Sequence, residues 1–241
     1  MNSASPHVDV LAIGAHMGDE VAWGMSLAAH VRQGRRVGLL HLTPGEKGHP
    51  SKSPSEYADQ KRDEAQRCAA ELGARLWTLD FKDGELSVGD DVQFAMARVI
   101  REARPQLILT HWRGSMHKDH TAAADNLPNA RFYAGIATFE LGGPAHWVPR
   151  AYYGENWEDL RGYEPEVYLE VLREDIERWE EAMRCYELFR GGVSKFEYLE
   201  YYKALARSRG CEARWEFAVT FAVPQEERRR LVTTLLPEPS R

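Results

Sequence analysis

Residues 8–20 read VDVLAIGAHMGDE, and this stretch decides the fold. Its apolar run at residues 8–13 (VDVLAI) is typical of a buried parallel strand. The run ends in a glycine, and His16 and Asp19 then stand three residues apart. Polar groups that directly follow a buried strand need hydrogen-bonding partners or a function. The stretch therefore predicts a strand that delivers a histidine and an aspartate to its carboxyl end.

A second segment, further along the chain, has the same layout. The apolar stretch 107–110 (LILT) is followed by residues 117–120 (HKDH). Open α/β folds bind their ligands at the carboxyl edge of the sheet, so two such strands suggest one shared site. A histidine, an aspartate and a second histidine leave an open position for water on a zinc ion, which is typical of a catalytic rather than a structural site.

The first half of the chain alternates strand and helix patterns. Strands are predicted at 8–13, 36–43, 74–81 and 106–110, and helices at 20–33, 55–72 (with Ser55 as its cap) and 91–103. Crossovers of helical length between consecutive strands predict a parallel sheet with helices on both faces. The expected fold class is therefore α/β, a Rossmann-like three-layer α/β/α sandwich with a mainly parallel sheet.

The second half of the chain is less regular. Residues 131–138 fit either a helix or a strand, and residues 139–163 are rich in Gly, Pro, Trp and Tyr, which indicates an irregular rim. Further helices are predicted at 120–126, 173–189 and 194–208, and further strands at 151–153, 166–171 and 215–223. Because no repeat, low-complexity tract or linker divides the sequence, we expect residues 1–241 to form a single domain.

Composition excludes several function classes. The net charge is −6 and no basic run stands out, which argues against a nucleic-acid partner. No apolar run approaches the roughly 18 residues of a membrane span, and the first residues (MNSASPH) lack the pattern of a signal peptide. Three widely separated cysteines are typical of reduced thiols. We therefore expect a cytoplasmic protein without a membrane span.

The turn after the first strand argues against a dinucleotide site. Such a site has the pattern G-x-G-x-x-G, whereas residues 14–19 read GAHMGD. A carboxylate at the place of the pyrophosphate would repel it. The turn therefore does not fit a nucleotide-binding site, and the metal site stays the hypothesis for it.

The sequence resembles the PIG-L/LmbE-like zinc-dependent N-deacetylases, which include N-acetylglucosaminyl-phosphatidylinositol de-N-acetylase and the bacterial enzymes of mycothiol and bacillithiol synthesis. The family motif A-H-P-D-D-E corresponds to residues 15–20 (AHMGDE), and H-P-D-H corresponds to residues 117–120 (HKDH). Weaker matches are T-D-G-E-x-G at 43–48, R-x-E at 62–64, the D-G turn at 83–84, and a degenerate pattern at 209–221.

The resemblance implies a role for each matched residue. His16, Asp19 and His120 would bind zinc or another divalent ion. His117 would protonate the leaving amine or stabilise the oxyanion, and Asp119 would orient it. The substrate-binding residues would be Arg62 and Asp83. The implied reaction is hydrolysis of the N-acetyl amide of a small molecule, an amino sugar or glycoside, with release of acetate.

One position departs from the family motif. The family has an aspartate before its Asp ligand, which serves as general base, and this chain has Gly18 there. Loss of a positioned base typically lowers the rate by ~10²–10⁴-fold. Three hypotheses follow: Glu46 or Asp119 replaces the base, the activated water acts with His117 alone, or the protein binds a metal or ligand without hydrolysis.

The aromatic residues of the rim have three possible uses. They would form a platform for a sugar-like ligand, cover the edge of the sheet, or make a contact between subunits of a homo-oligomer. The residues concerned are Trp147, Tyr152, Tyr153, Trp157 and Tyr163.

Overall fold

The computed structural model describes residues 6–159 and 161–228, within which a seven-stranded sheet is flanked by six α-helices. The strands are β1 (Val10–His16), β2 (Val37–Thr43), β3 (Ala74–Thr78), β4 (Leu107–His111), β5 (Arg150–Gly154), β6 (Val167–Glu170) and β7 (Ala218–Ala222). The helices are α1 (Gly24–Arg32), α2 (Pro54–Leu72), α3 (Asp90–Ala103), α4 (Lys118–Gly135), α5 (Arg173–Met183) and α6 (Tyr198–Ala213).

The sheet is mainly parallel. Its strand order is β3-β2-β1-β4-β5-β7-β6, and the first five strands in this order are parallel to one another. Strand β7 lies antiparallel to β5 and to β6. The predicted α/β class with a mainly parallel sheet is confirmed.

The two strands that precede the His/Asp clusters are direct neighbours. Strands β1 and β4 pair in parallel, with Val10 opposite Leu107 and Ala12 opposite Leu109. The chain runs outward from β1 to β3 and then returns to β4, so the strand order reverses between β1 and β4. A crevice opens at such a switch point, outside the carboxyl ends of the strands. The topology therefore places both clusters at one crevice.

Alternate residues of β1 pack on opposite faces of the sheet. Val10 and Ala12 belong to a hydrophobic core that includes residues of α1, α2 and α5. Leu11 and Ile13 belong to a second core, with residues of α3 and α4. This alternation is the period of two of a strand that is covered on both faces. It produces the three predicted layers.

Helix α2 has well-defined ends. Its N-cap is Ser53 and not the predicted Ser55, because the Ser53 hydroxyl accepts a hydrogen bond from the Glu56 N–H and the Glu56 carboxylate accepts one from the Ser53 N–H. Pro54 occupies the first helical position, where its missing N–H costs nothing. The helix ends at Gly73, whose φ of 72° is left-handed.

Several element boundaries differ from the prediction. Helix α1 begins at Gly24 instead of residue 20, because residues 19–21 form a separate 3₁₀ turn. Residues 120–126 are predicted to form a short helix and residues 131–138 a helix or a strand, whereas one helix, α4, covers 118–135 despite Pro128. Four of its alanines and Leu127 are buried in the second core, and this packing favours one continuous helix. Helix α5 ends at residue 183 rather than 189, α6 covers 198–213 rather than 194–208, and β7 covers 218–222 rather than 215–223.

Within the described residues, the helices are too short or too polar to cross a lipid bilayer.

Candidate metal centre

Donor atoms of three residues, from two parts of the chain, meet at the end of β1. Nδ1 of His16 lies 3.2 Å from Nε2 of His120 and 3.5 Å from Oδ2 of Asp19. Nε2 of His120 lies 3.5 Å from Oδ1 of Asp19. Ligands bonded to one tetrahedral zinc ion at ~2.1 Å stand about 3.4 Å apart. The spacing of these donors therefore fits a single divalent ion.

The local backbone explains how these side chains converge. His16 is the last residue of β1, and its N–H donates to Oδ2 of Asp19 at 2.7 Å. Gly14 makes room for this turn, because a Cβ there would lie 3.0 Å from Cβ of Asp19. His120 stands in the first turn of α4, which begins at the carboxyl end of β4.

Carboxylates hold the outer nitrogens of both histidines. Nε2 of His16 lies 3.3 Å from Oδ1 of Asp83 and 3.3 Å from Oδ2 of Asp119. Nδ1 of His120 lies 3.0 Å from Oε2 of Glu158. A carboxylate that accepts a hydrogen bond from one ring nitrogen fixes the tautomer and directs the lone pair of the other toward a metal. This arrangement is typical of metal-binding histidines.

The charges at the cluster favour a bound cation. Burial acts to lower the pKa of His120, but Asp19 and Glu158 outweigh it and raise that pKa to about 9. Burial likewise acts to lower the pKa of His16, but Asp19, Asp119 and Asp83 outweigh it and raise that pKa well above its ordinary value. These carboxylates attract protons to the imidazoles, and a metal ion takes the place of such protons when it binds.

His111 also belongs to the cluster, although it is not among the residues predicted from the sequence. Its Nε2 lies 2.9 Å from Oδ2 of Asp19, and its ring stacks on that of His120 with centroids 3.9 Å apart. Burial lowers the pKa of His111 to about 4, so its imidazole is neutral at pH 7. The predicted strand ended one residue earlier. The signal that was missed is a histidine at the end of β4, as His16 is at the end of β1.

The described residues offer more than one set of donors within 4.8 Å of one another. These sets are His16, His117 and His120; Asp19, His111 and His120; and His16, Asp83 and Asp119. The sets overlap at His16 and His120, but none of the three contains His16, Asp19 and His120 together. The third set surrounds Nε2 of His16, on the other side of the ring from Nδ1.

His117 is a hydrogen-bond donor toward the cavity in its neutral form. Its Nδ1 accepts the N–H of Asp119 at 3.2 Å, so the ring proton is on Nε2. Burial, together with positive charge on His16 and His120, lowers the pKa of His117. Its ring lies against both histidines, with centroid distances of 4.7 Å and 4.8 Å. The structure therefore brings His117 to the place that the sequence predicted.

A cavity of about 280 Å³ opens at the cluster. His16, Asp19, His117 and His120 form part of its wall, together with Asp83 and Glu158. Its wall also includes the aromatic residues Tyr57, Trp157, Phe189 and Tyr198. The cavity is large enough for part of a small organic molecule.

Two predicted site residues lie outside this cavity. Oε1 of Glu46 accepts the N–H of Asp83 at 3.1 Å, and Glu46 lines a separate outer groove with Arg62. The Arg62 guanidinium donates to Asp59 and Asp80 at the surface, at 3.0 Å and 2.9 Å. The structure thus does not bring Glu46 or Arg62 to the cluster.

Asp119 and Asp83 are close to the cluster, and both contact His16, although Oδ1 of Asp119 is buried without a hydrogen-bond partner. Asp119 is fully buried, and its Oδ2 accepts the N–H of Gly84 at 2.6 Å as well as contacting His16. Asp83 lines the cavity, where Oδ2 accepts the N–H of Lys47 at 2.9 Å. Both carboxylates therefore orient His16.

Lys61, next to Arg62 in sequence, does reach the cavity. Only 3% of its surface is exposed, and its Nζ donates to the carbonyl oxygen of Met17. Burial lowers the pKa of Lys61, and the carboxylates of Glu20 and Asp19 partly offset this effect. This lysine is not among the residues predicted from the sequence.

The aromatic residues of the rim do not form one platform. Trp157 lines the cavity, whereas Trp147 is 62% exposed and lines a distant groove with Tyr152. Tyr153 and Tyr163 both pack edge-on against Trp112.

Comparison with known proteins gives a family and several relatives. The family model described as GlcNAc-PI de-N-acetylase (PIG-L) matches residues 11–130. The chain is 26% identical over 232 residues to a 4-oxalmesaconate hydratase of Pseudomonas putida KT2440. The aligned region covers 92% of this chain and 87% of that relative. The segment that matches the family model contains all of the His and Asp residues of the cluster, whereas Glu158, which contacts His120, lies outside it.

Two solved structures have the same fold. The 4-carboxy-2-hydroxymuconate hydratase GalB of Pseudomonas putida KT2440 has a TM-score of 0.80 at 23% identity, covering 95% of this chain and 100% of that chain. The N,N'-diacetylchitobiose deacetylase of Pyrococcus horikoshii, solved with an inhibitor, has a TM-score of 0.75 at 18% identity, covering 90% and 83%.

Proposed function

Because the chain belongs to the PIG-L family of GlcNAc-PI de-N-acetylase, we propose that it is a metal-dependent hydrolase that removes an N-acetyl group from a small amino sugar or glycoside. The observation that carries the proposal is the set of donor atoms on His16, Asp19 and His120, 3.2–3.5 Å apart beside His117. A divalent ion held there, zinc in the first instance, supplies a Lewis acid that polarises a carbonyl and acidifies water.

The hydrogen-bond donor of the proposed reaction is His117. In its neutral form it carries the proton on Nε2, because Nδ1 accepts the Asp119 N–H. It would donate a hydrogen bond to the developing oxyanion, and the proton that the carboxylate base takes from the attacking water would pass to the leaving nitrogen. The Asp119 backbone thus fixes the tautomer of His117, while the Asp119 carboxylate holds His16.

The proton acceptor is assigned to Glu158. This residue lines the cavity, and its Oε2 binds His120 and Ser115 at 3.0 Å and 3.4 Å. Among the described residues, Oε1 of Glu158 has no hydrogen-bond donor, whereas both oxygens of Asp83 are engaged with His16 and Lys47. Glu158 would thereby supply the carboxylate base that the family motif has at the position of Gly18.

A second candidate function is hydration of a carbon–carbon double bond in an unsaturated carboxylic acid. It is favoured by the similarity to 4-oxalmesaconate hydratase over 92% of the chain, and by the cationic Lys61 in the cavity. Hydration also needs activated water and a proton donor. The two reactions differ in the electrophile and in the charge of the substrate.

Two assays on the zinc-loaded protein separate these functions. One measures acetate release from N-acetylglucosamine and its glycosides, and the other measures loss of the conjugated absorbance of 4-oxalmesaconate. Acetate release that disappears in His120→Ala supports the first function, and hydration without acetate release supports the second. If bound zinc accompanies neither activity and Gly18→Asp gains acetate release, the protein is a binding homologue.

Three further expectations stay predictions. These are a single domain over the whole chain, a cytoplasmic location and assembly as a homo-oligomer. Size-exclusion chromatography with light scattering measures the last of them.

A further inference from the structure

The peptide group between Met17 and Gly18 lies in the middle of the turn of residues 16–19, which carries two of the proposed metal ligands. Both of its polar ends have a charged partner. Nζ of Lys61, on α2, donates to its carbonyl oxygen. Its N–H donates to Oε2 of Glu20 at 3.0 Å. An ammonium thus holds one end of this peptide group, and a carboxylate holds the other.

Both charged partners are buried and fixed in place. Lys61 is 3% exposed and Glu20 is 1% exposed. The Glu20 carboxylate also contacts Nε2 of His41 at 2.9 Å and accepts the hydroxyl of Tyr186 at 2.6 Å. The ring centroid of Tyr186 in turn lies 4.8 Å from Nζ of Lys61. Hydrogen bonds to charged groups are roughly twice as strong as those between neutral groups, so these two contacts constrain the peptide group more than ordinary turn hydrogen bonds would.

Gly18 is the reason why such a constraint matters. Its φ is 105°, and glycine adopts positive and negative φ with similar ease. The peptide group before a glycine can therefore turn over at little steric cost. A turned-over peptide would point its N–H at the ammonium of Lys61 and its carbonyl oxygen at the carboxylate of Glu20, and both contacts would be repulsive in a buried site. The two side chains thus select one orientation of the peptide group.

We propose that Lys61 is a positioning residue of the metal centre. Together with Glu20, it holds the peptide group in the one orientation from which the donor atoms of His16 and Asp19 face the same ion. It acts through the backbone, because the group that its Nζ contacts is a carbonyl oxygen of the turn. The inference rests on the proposed function for the presence of an ion at this centre.

The zinc affinities and cobalt spectra of variants at position 61 test the proposal. Lys61→Met keeps an unbranched side chain but has no donor for the carbonyl of Met17. Lys61→Arg keeps a cationic N–H donor, and the cavity that residue 61 lines leaves room for its larger head group. The matched control is Lys203→Met, which removes a lysine of α6 that pairs with Glu180 and Glu200. Competition with a chromophoric chelator measures zinc affinity, and the visible spectrum of the cobalt-loaded protein reports the coordination geometry.

Lys61→Met should bind zinc about 10- to 100-fold more weakly than wild type, as is typical when an outer support of a metal site is lost. At saturating cobalt its visible spectrum should differ from that of wild type, because the peptide group no longer has one fixed orientation. Lys61→Arg should recover most of the affinity, and Lys203→Met should match wild type in both measurements.

Three results would overturn the proposal. The first is a folded Lys61→Met with the zinc affinity and cobalt spectrum of wild type. The second is an equal loss of zinc affinity in Lys61→Arg, which would exclude the N–H donor as the cause. The third is a weaker affinity of Lys61→Met with an unchanged spectrum at saturation, because this result would indicate only a general loss of stability.

If Lys61→Met does not fold, amide hydrogen exchange in the wild type decides the question. In the metal-free protein the Gly18 amide should already exchange more than about 100-fold more slowly than an unprotected amide, because its N–H stays bonded to Glu20. A Gly18 amide that becomes protected only when zinc is added would show that the metal orients the turn, and would overturn the proposal. A wild type that binds no zinc refutes the proposed function, whereas equal zinc affinities of wild type and Lys61→Met refute this inference alone.

Discussion

Nε2 of His120 lies 3.2 Å from Nδ1 of His16, although the two residues are 104 positions apart in the sequence. The contact exists because β1 and β4 are parallel neighbours whose carboxyl ends meet at one edge. Each ring is held from behind by a carboxylate, Asp83 or Asp119 for His16 and Glu158 for His120. These outer contacts lead to predictions about metal affinity as well as catalysis.

Asp83→Asn should weaken zinc binding by about 10- to 100-fold, because it removes a charge that orients His16. The measurement is a competition titration with a chromophoric chelator. Asp80→Asn is the matched control, since Asp80 pairs with Arg62 at the surface and is 76% exposed. Equal zinc affinities of the two variants would contradict the role given to Asp83.

His117→Gln should lower kcat by ~10²–10³-fold with the substrate that the assays identify, because it removes the ring N–H that donates to the developing oxyanion. Zinc content should stay at the wild-type value, which metal analysis of the same sample checks. The control is His146→Gln, whose ring bonds the carbonyl of Pro105 away from the cavity. Loss of zinc together with activity would instead indicate that His117 is a ligand.

Glu158→Gln and Glu46→Gln should differ in activity. With zinc at saturation, since Glu158 also holds His120, the first removes the proposed proton acceptor and should lower kcat by ~10²–10⁴-fold. The second should change kcat by less than about 3-fold. The glutamine at 46 still offers an oxygen to the Asp83 N–H, so local structure should be kept. A larger loss in Glu46→Gln would return the role of base to that residue.

Glu20→Gln should lower the free energy of unfolding at neutral pH. It should also make that free energy fall less as the pH is lowered. Burial acts to raise the pKa of Glu20, but His41 and the hydroxyl of Tyr186 outweigh it and lower the pKa to about 2. Since the unfolded value is 4.5, this stabilisation is complete above pH 4.5 and is lost as the pH falls toward 2.

The expected contribution of Glu20 is on the order of 3 kcal/mol at pH 7. Urea unfolding of wild type and Glu20→Gln at several pH values between 7 and 3 measures it. The difference in unfolding free energy between the two proteins should shrink below pH 4.5. A constant difference over this range would show that the charge of Glu20 is not responsible.

The sheet and the central donors could be predicted from sequence because both follow from local patterns. An apolar run that ends in polar residues marks the carboxyl end of a buried strand, and this was enough to bring His16, Asp19 and His120 together. The continuous α4 could not be predicted, because its packing against α3 outweighs the local effect of Pro128.

Other members of the site depend on geometry that the sequence pattern does not contain. Lys61 and Arg62 differ by one position, yet successive helical residues point about 100° apart, so one faces the cavity and the other the solvent. Glu158 lies in the irregular rim, where no periodicity predicts the direction of a side chain. His111 was missed because the predicted strand ended at Thr110.

Zinc titration of the metal-free protein by calorimetry tests the central claim most directly, with wild type, His16→Ala, His120→Ala and the control His30→Ala. His30 bonds the carbonyl of Ser26 within α1, away from the cluster. We predict one zinc ion per chain for wild type and His30→Ala, and more than about 100-fold weaker binding for the other two variants. Unchanged zinc affinity in His16→Ala and His120→Ala would contradict a metal centre at this site.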